Sequence, residues 1–153
     1  MSHDFKRFPE LTNSQLDLYY FSSPHRQITE DFTAKVVKVH DGDSITLQWK
    51  ERDFNFPIRL INIQAPELKD ELGSPSGAGK SSQRWLEELV LNEMVSIQID
   101  PVVRVDKWGR LLGYVVMGGM DVGEQSMHTG HSIPWEMRED IAGIPKLDEV
   151  LNG

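Results

Sequence analysis

Two alternating segments joined by a tight turn restrict the fold of this chain more than any other feature. Residues 34–40 (AKVVKVH) and 44–50 (SITLQWK) alternate apolar and polar side chains, which is the period of a half-buried strand. The DGD trio between them is typical of a hairpin or a tight corner. A third alternating segment, residues 54–63, follows, and Pro57 places it at a strand edge or a bulge. The sequence therefore predicts an antiparallel three-strand meander.

One helix and two further strands follow this meander. After a loop rich in Gly, Ser and Pro, residues 81–93 (SSQRWLEELVLNE) place apolar side chains at helical spacing. Residues 94–100 alternate again, and residues 110–117 form a last apolar strand in which Gly113 indicates a bulge or a bend. Three strands, a helix and two strands suit a mainly β (α+β) fold. We expect a five-stranded Greek-key barrel of the OB type with an inserted amphipathic helix.

The segment GSPSGAGKSS in the loop has the composition of a phosphate-binding loop but not its spacing. Such a loop needs a glycine at the position of Ser74, and a hydrophobic parallel strand directly upstream. The charged residues ELKDEL stand there instead. The segment is therefore interpreted as a loop that leads into the N-terminus of the helix.

Length and charge divide the chain into three parts. Its 153 residues suit one domain, which we place at residues 34–135, preceded by an arm (1–33) and followed by an acidic tail (136–153). The net charge of −8 disfavours long-range attraction of nucleic acid, although residues 34–117 are close to neutral and leave room for a local basic cleft. No cysteine, no membrane-length apolar run and no visible signal peptide are present, so we expect no membrane association and an intracellular location.

Three ordered motifs carry a family resemblance. HDGDS, RLINIQAPE and DKWGRLLGY occur in this order, with the amphipathic helix between the second and the third. Over about residues 34–135 the chain resembles the staphylococcal nuclease (thermonuclease) family. The resemblance implies the same five-stranded OB barrel and calcium-dependent hydrolysis of phosphodiester bonds in DNA and RNA. Nucleic acid is therefore the expected partner.

The resemblance also assigns roles to individual residues. Arg59 and Arg110 match the arginine pair of the family, and guanidinium groups give bidentate donors to phosphate oxygens. Glu67 matches the glutamate proposed as general base for the attacking water. Asp43 matches a metal-binding aspartate. Pro66 turns the chain out of the strand, so that Glu67 is expected to face the same opening as Arg59.

The expected calcium site departs from the family at Gln64. The family has a second metal-binding aspartate there, and the next residue, Ala65 in this chain, contributes only its backbone carbonyl. Glutamine brings no charge and is one methylene longer than aspartate, whereas calcium affinity follows the number of anionic ligands. We expect calcium binding to be weakened by about a hundredfold or more.

Two features near the tail have more than one interpretation. Trp135 lies near the position where the family places aromatic residues beside the nucleotide base, so it either stacks on a base or packs under the tail. His128 and His131 are three residues apart, but without a third ligand they are better interpreted as surface or capping residues than as metal ligands.

The arm allows a second hypothesis about function. Residues 1–33 carry too many aromatic and apolar side chains for a disordered leader, so they are expected to pack on the chain's own barrel or on protein partners. In the second case the barrel is a non-catalytic structural or adaptor module, held by its arm in a large assembly such as a phage virion. The first hypothesis is a divalent-metal-dependent endonuclease with a weak calcium site.

Overall fold

The computed structural model describes residues 4–136 and 141–142. Within them the strands are β1 (Phe32–Asp41), β2 (Ser44–Gln48), β3 (Phe56–Leu60), β4 (Ile63–Gln64), β5 (Met94–Gln98), β6 (Val105–Asp106), β7 (Leu111–Met117), β8 (Met120–Asp121), β9 (Ile133–Pro134) and β10 (Ile141–Ala142). The helices are α1 (Asn13–Tyr19), α2 (Gly77–Val90) and α3 (Val122–His128), with a 3-10 turn at Tyr20–Ser22. None of the described helices is long and apolar enough to cross a bilayer.

Five of the strands close into a mixed β-barrel, which confirms the predicted fold class. Strands β1, β2 and β3 form the antiparallel meander. Strand β3 then pairs in parallel with β7, β7 pairs antiparallel with β5, and β5 returns to β1. Strand β7 changes partner at Gly113, because residues up to Gly113 pair with β3 and the following ones pair with β5. The bend predicted at this glycine is therefore where the barrel closes.

The core fills the interior of the barrel. Strand β5 alternates exposed and buried side chains along its length, as a strand with one face in a core must do. Helix α2 covers one opening of the barrel with Leu86 and Val90, which are buried in the same cluster. The strand residues of this core include Val36, Ile45, Leu47, Ile58, Leu60, Ile97, Leu111 and Val115.

Helix α2 begins four residues earlier than predicted. The Ser76 side chain accepts a hydrogen bond from the Gly79 backbone at 3.1 Å and caps the helix, so the GAGK residues form its first turn. Gly79 is buried, and a Cβ atom there would lie 2.6 Å from the carbonyl carbon of Glu67. Gly79, one of the glycines that made the segment look like a loop, therefore serves close packing between the helix and the chain after β4.

The described part of the arm packs on its own barrel. Leu11 and Ile28 are buried, and the Glu10 carboxylate accepts hydrogen bonds from the buried side chains of Arg52 and Arg104. The docking of residues 1–33 on a protein partner stays a prediction. Most of the acidic tail lies outside the described residues, apart from Glu136 and β10, which pairs with β6.

Candidate active site

The DGD turn positions Asp43 at the start of β2. Gly42 lies at the point of closest approach between this turn and α2, because a Cβ atom there would collide with the Ser82 hydroxyl and lie 2.6 Å from the Cβ of Ala65. Any side chain at position 42 would push the turn away from both neighbours. The glycine therefore lets Asp43 reach the end of β4.

Arg59 is held in one orientation by its own main chain. It lies on β3 opposite Ser44, and its Nη1 donates to the backbone oxygens of Leu60 at 2.7 Å and Ile63 at 2.9 Å. Its Nη2 lies 3.4 Å from Asp43 Oδ2. A guanidinium fits within this apolar strand because carbonyl groups and a carboxylate satisfy its donors.

Asp43 also joins Ala65 to this cluster. Its Oδ2 accepts a hydrogen bond from the Ala65 backbone N–H at 2.9 Å. The contact draws the end of β4 toward the DGD turn. Asp43, Arg59 and Ala65, which the sequence analysis assigned to one site, are therefore in direct contact.

Arg110 lies at the same rim of the barrel. Ser44 connects it to Arg59, because Ser44 pairs with Arg59 across β2 and β3 and also accepts a hydrogen bond from Arg110. The Arg110 Nε donates to Asp106 Oδ2 at 2.8 Å, and its Nη1 donates to Ser44 Oγ at 3.3 Å. Its side chain remains 32 % exposed. This arginine is therefore oriented and still open to solvent.

The two arginines are close enough to influence each other. Burial lowers the pKa of Arg59, the charge of Asp43 raises it, and the charge of Arg110 lowers it again. Each guanidinium group is paired with an aspartate, Arg59 with Asp43 and Arg110 with Asp106, so this rim presents oriented donors rather than an excess of positive charge. Guanidinium donors held in this way suit a phosphate group.

Glu67 lines a cavity that adjoins this cluster. The cavity has a volume of about 280 Å³ and is lined by residues 64–67 and 130–133. Glu67 is exposed, and within the part of the chain that the structure describes no hydrogen bond or ion pair joins it to Arg59 or Arg110. Ala65 belongs to both the cavity and the Asp43 cluster, so the two halves of the site are contiguous.

The predicted calcium ligands form a sparse donor set. Burial raises the pKa of Asp43 to about 6, helped by a hydrogen bond from Asp41 and by its charge, while Arg59 and the Ala65 N–H act in the opposite direction. The structure thus brings a second carboxylate, Asp41, to Asp43. In residues 4–136 and 141–142 no three His, Cys, Asp or Glu side chains group as a metal site. Asp43 Oδ2 is already in contact with the Ala65 N–H and with Arg59, so the two carboxylates offer few free oxygens to a cation that takes about 6–8 oxygen ligands.

Trp135 has a contact that the sequence analysis missed. The guanidinium carbon of Arg59 lies 3.9 Å from the centroid of the Trp135 ring. Strand β9 pairs with β4, and the Trp135 backbone N–H donates to Asn62 O at 3.2 Å, which brings the ring to the site. The two side chains are far apart in the sequence, so no local pattern indicates their contact.

Asp106 belongs to the DKWGR motif but was given no role from the sequence, and Ser44 was missed. Asp106 is buried and accepts hydrogen bonds from the backbone N–H groups of Trp108 and Arg110 in addition to the Arg110 side chain. Its spacing of four residues from Arg110 within the DKWGR motif is what allows all three contacts. Ser44 directly follows the DGD trio.

Comparisons with known proteins identify the family of this chain. A family model described as staphylococcal nuclease homologue matches residues 57–145. An uncharacterized endonuclease of Escherichia coli O157:H7 is 30% identical over 133 residues, which are 86% of this chain and 78% of that protein. Endonuclease YncB of Bacillus subtilis is 29% identical over 59% of this chain, and the match covers 42% of YncB. The chain spans about half the length of a Bacillus anthracis relative, to which it is 28% identical over 104 residues. The chain belongs to the staphylococcal nuclease homologue family.

Proposed function

We propose that this chain hydrolyses phosphodiester bonds in DNA or RNA, using Arg59, Arg110 and Glu67 with a weakly held divalent cation. The observation that carries the proposal is the pair of oriented guanidinium groups at one rim of the barrel. An exposed glutamate faces the adjoining cavity. The endonuclease names of several relatives support the same class of reaction.

The arginines bind and neutralise the phosphate. Because Arg59 is held through Nη1 and Arg110 through Nε and Nη1, their positions are set before the substrate arrives. Preorganised donors stabilise the charge that develops on the phosphate oxygens during attack, at no cost of reorganisation. This arrangement makes the phosphorus accessible to a nucleophile that would otherwise be repelled by negative charge.

Glu67 supplies the base. It takes a proton from water as the water oxygen forms a bond to phosphorus, and the bond from phosphorus to the leaving oxygen breaks. The leaving oxygen is protonated from solvent. The cavity beside Glu67 has room for a water and a phosphate group, and Ala65 connects its wall to Asp43 and so to Arg59.

A divalent cation would be held by Asp43 with support from Asp41 and the amide oxygen of Gln64. When bound, it adds positive charge beside the phosphate oxygens. Among the residues that the structure describes, no third carboxylate completes a metal site with Asp41 and Asp43, which supports weak binding, so activity is expected only at high calcium concentrations.

The test compares Glu67→Gln with Glu71→Gln, an exposed glutamate of the neighbouring loop. Cleavage of labelled single-stranded DNA and RNA is followed with millimolar calcium and with a chelator. We expect Glu67→Gln to reduce cleavage by about a hundredfold or more, the usual contribution of a general base, and Glu71→Gln to leave it unchanged. Wild-type protein that shows no chelator-sensitive cleavage at any calcium concentration would contradict the proposal.

The neutral residue at Gln64 also favours a second candidate. A barrel with a depleted cation site is suited to be a non-catalytic structural or adaptor module, held by residues 1–33 in an assembly such as a phage virion. Phe21 in this arm has a 97% exposed side chain. If the arm docks on a partner, Phe21→Ser should prevent incorporation into that assembly while leaving the thermal stability of the isolated protein unchanged.

A further inference from the structure

A second groove lies next to the site, on the outer face of α2. It has a volume of about 310 Å³, and its lining includes Lys80, Arg84, Trp85, Glu88 and His131. His131 also lines the cavity that contains Glu67. The two depressions therefore share one side chain, His131.

The groove offers two cations at a regular spacing. Lys80 and Arg84 are four residues apart on α2, so they are neighbours on the helix surface. Both are exposed, and neither has an ion-pair partner in the region that the structure describes. Glu88 is the one acid among the lining residues of this groove. The groove is thus locally positive in a protein whose net charge is −8.

Stacked aromatic rings lie beside the cations. The rings of Trp85 and His131 have centroids 5.3 Å apart and planes inclined by 17°. The His131 ring is oriented further by a contact of 2.8 Å between its Nδ1 and Thr129 Oγ1. A base stacks readily on such a fixed aromatic surface, whichever base it is. Proteins bind single-stranded nucleic acid with cations along the phosphate backbone and with aromatic rings on which the bases stack. This groove has both.

We propose that this groove binds the single-stranded segment that flanks the scissile phosphate. Lys80 and Arg84 contact successive phosphates of the strand, and the stacked pair of Trp85 and His131 receives an unpaired base. The proposal rests on the function proposed above, because the strand in the groove is the same one that is cleaved. It adds a binding surface on α2, outside the rim that holds Arg59 and Arg110.

The experiment measures binding without cleavage. Fluorescence anisotropy of a labelled 12-nucleotide oligothymidine is recorded in a chelator with wild-type protein, with Lys80→Gln/Arg84→Gln, and with Lys35→Gln/Lys50→Gln. The last variant is matched in charge, and its residues lie at the end of β1 and β2 away from Asp43, since Lys35 pairs with Gln48. We expect about tenfold weaker binding for the first double variant only. Its slope of log K against log salt should fall by about 1.4, because two phosphate contacts are lost.

Two single variants refine the test. Glu88→Gln removes the repulsion in the groove and should tighten binding, whereas His131→Ala removes a stacking surface and should weaken it about tenfold. Thermal melting of each variant checks that the fold is retained. A duplex of the same length should bind more weakly than the single strand.

Three results would overturn the inference. In the first, wild-type protein does not bind the oligonucleotide. In the second, Lys80→Gln/Arg84→Gln binds it as tightly as the matched control variant does. In the third, wild-type protein binds the duplex and the single strand with equal affinity. Cleavage of a chromogenic phosphodiester of one nucleotide by wild-type protein separates the two proposals. If the variants bind as expected but wild-type protein cleaves nothing, the proposed binding groove is supported and the proposed hydrolysis is contradicted.

Discussion

The indole ring of Trp135 covers the guanidinium group of Arg59, with the guanidinium carbon 3.9 Å from the ring centroid. In the plane of the same group, Nη1 donates to the carbonyls of Leu60 and Ile63, and Nη2 faces Asp43. The ring and the in-plane acceptors together restrict the arginine to one position. Trp135 therefore orients Arg59, which we propose binds the phosphate, from the far end of the described chain.

Replacing Trp135 by leucine should lower kcat more than it raises KM. A buried cation–π contact contributes about 0.5–2 kcal/mol, so we expect a decrease in kcat of about three- to thirtyfold when Arg59 loses its support. Trp135→Phe keeps an aromatic face and should recover part of the rate. Steady-state kinetics on a short phosphodiester substrate, with thermal melting as the control for folding, provide the measurement. A rise in kcat for Trp135→Leu would mean that the ring blocks Arg59 instead.

Asp106 should affect activity through Arg110. Its carboxylate accepts the Arg110 Nε at 2.8 Å and the backbone N–H groups of Trp108 and Arg110 at 3.0 and 2.9 Å. Asn in its place loses the charge and one acceptor, which should lower kcat/KM about tenfold to a hundredfold and stability by about 1–3 kcal/mol.

Asp70 provides the matched control for this change. Its Oδ1 likewise accepts two backbone N–H groups, from Leu72 and Ser74, but in an exposed loop. Asp70→Asn should therefore leave kcat/KM at the wild-type value. Equal losses for Asp70→Asn and Asp106→Asn, measured in the same assay, would argue that any turn carboxylate matters and that Arg110 is not the intermediary.

Gln64→Asp should strengthen calcium binding by about a hundredfold or more, because it adds an anionic ligand beside Asp43 and Asp41. Without calcium, three close carboxylates repel one another, so the melting temperature of the variant should fall below that of wild type. With calcium it should rise, as binding to the folded state stabilises it. Calorimetric titration and melting curves with and without calcium measure both effects, and Gln48→Asp, exposed at the far end of β2, is the control. An unchanged calcium affinity would exclude residue 64 as a ligand position.

The barrel and the centre of the site could be predicted because their signals are local. Each strand has its own alternating pattern, and the DGD trio marks the turn that positions Asp43. Arg59 and Asp43 come together because β2 and β3 pair directly, which follows once the meander is recognised. The strands, the DGD turn and the contact of Arg59 with Asp43 therefore follow from local sequence patterns and from the pairing of consecutive strands.

The remaining features depend on contacts between distant parts of the chain. The start of α2 was predicted too late because Gly77 and Gly79 were interpreted as loop residues, although Ser76 caps the helix and the close contact of Gly79 with the Glu67 backbone requires a glycine. The pairing of β9 with β4 brings Trp135 to Arg59, but no turn motif and no alternating pattern in the sequence indicates this pairing. Glu10 lies 42 residues from Arg52 and 94 from Arg104. A single sequence contains no local pattern for such pairs.

The contacts of Glu10 predict that the arm is part of the folding unit. The side chains of Glu10, Arg52 and Arg104 are exposed by 1%, 0% and 1%. Glu10→Gln would leave two buried guanidinium groups without a counter-charge, which should cost about 3–5 kcal/mol of unfolding free energy. Arg52 is especially dependent on this carboxylate, because its Nε and Nη1 find no hydrogen-bond partner among the described residues.

A surface ion pair of the same arm provides the comparison for this prediction. Glu30 lies 3.0 Å from Arg26, but both side chains are more than half exposed, so Glu30→Gln should cost less than about 1 kcal/mol. Urea denaturation of both variants measures the difference. If Glu10→Gln is as stable as Glu30→Gln, the arm is only loosely attached and is free to dock elsewhere. If it is strongly destabilised, removing residues 1–30 should unfold the barrel, and loss of assembly in such a truncation would not reveal a partner.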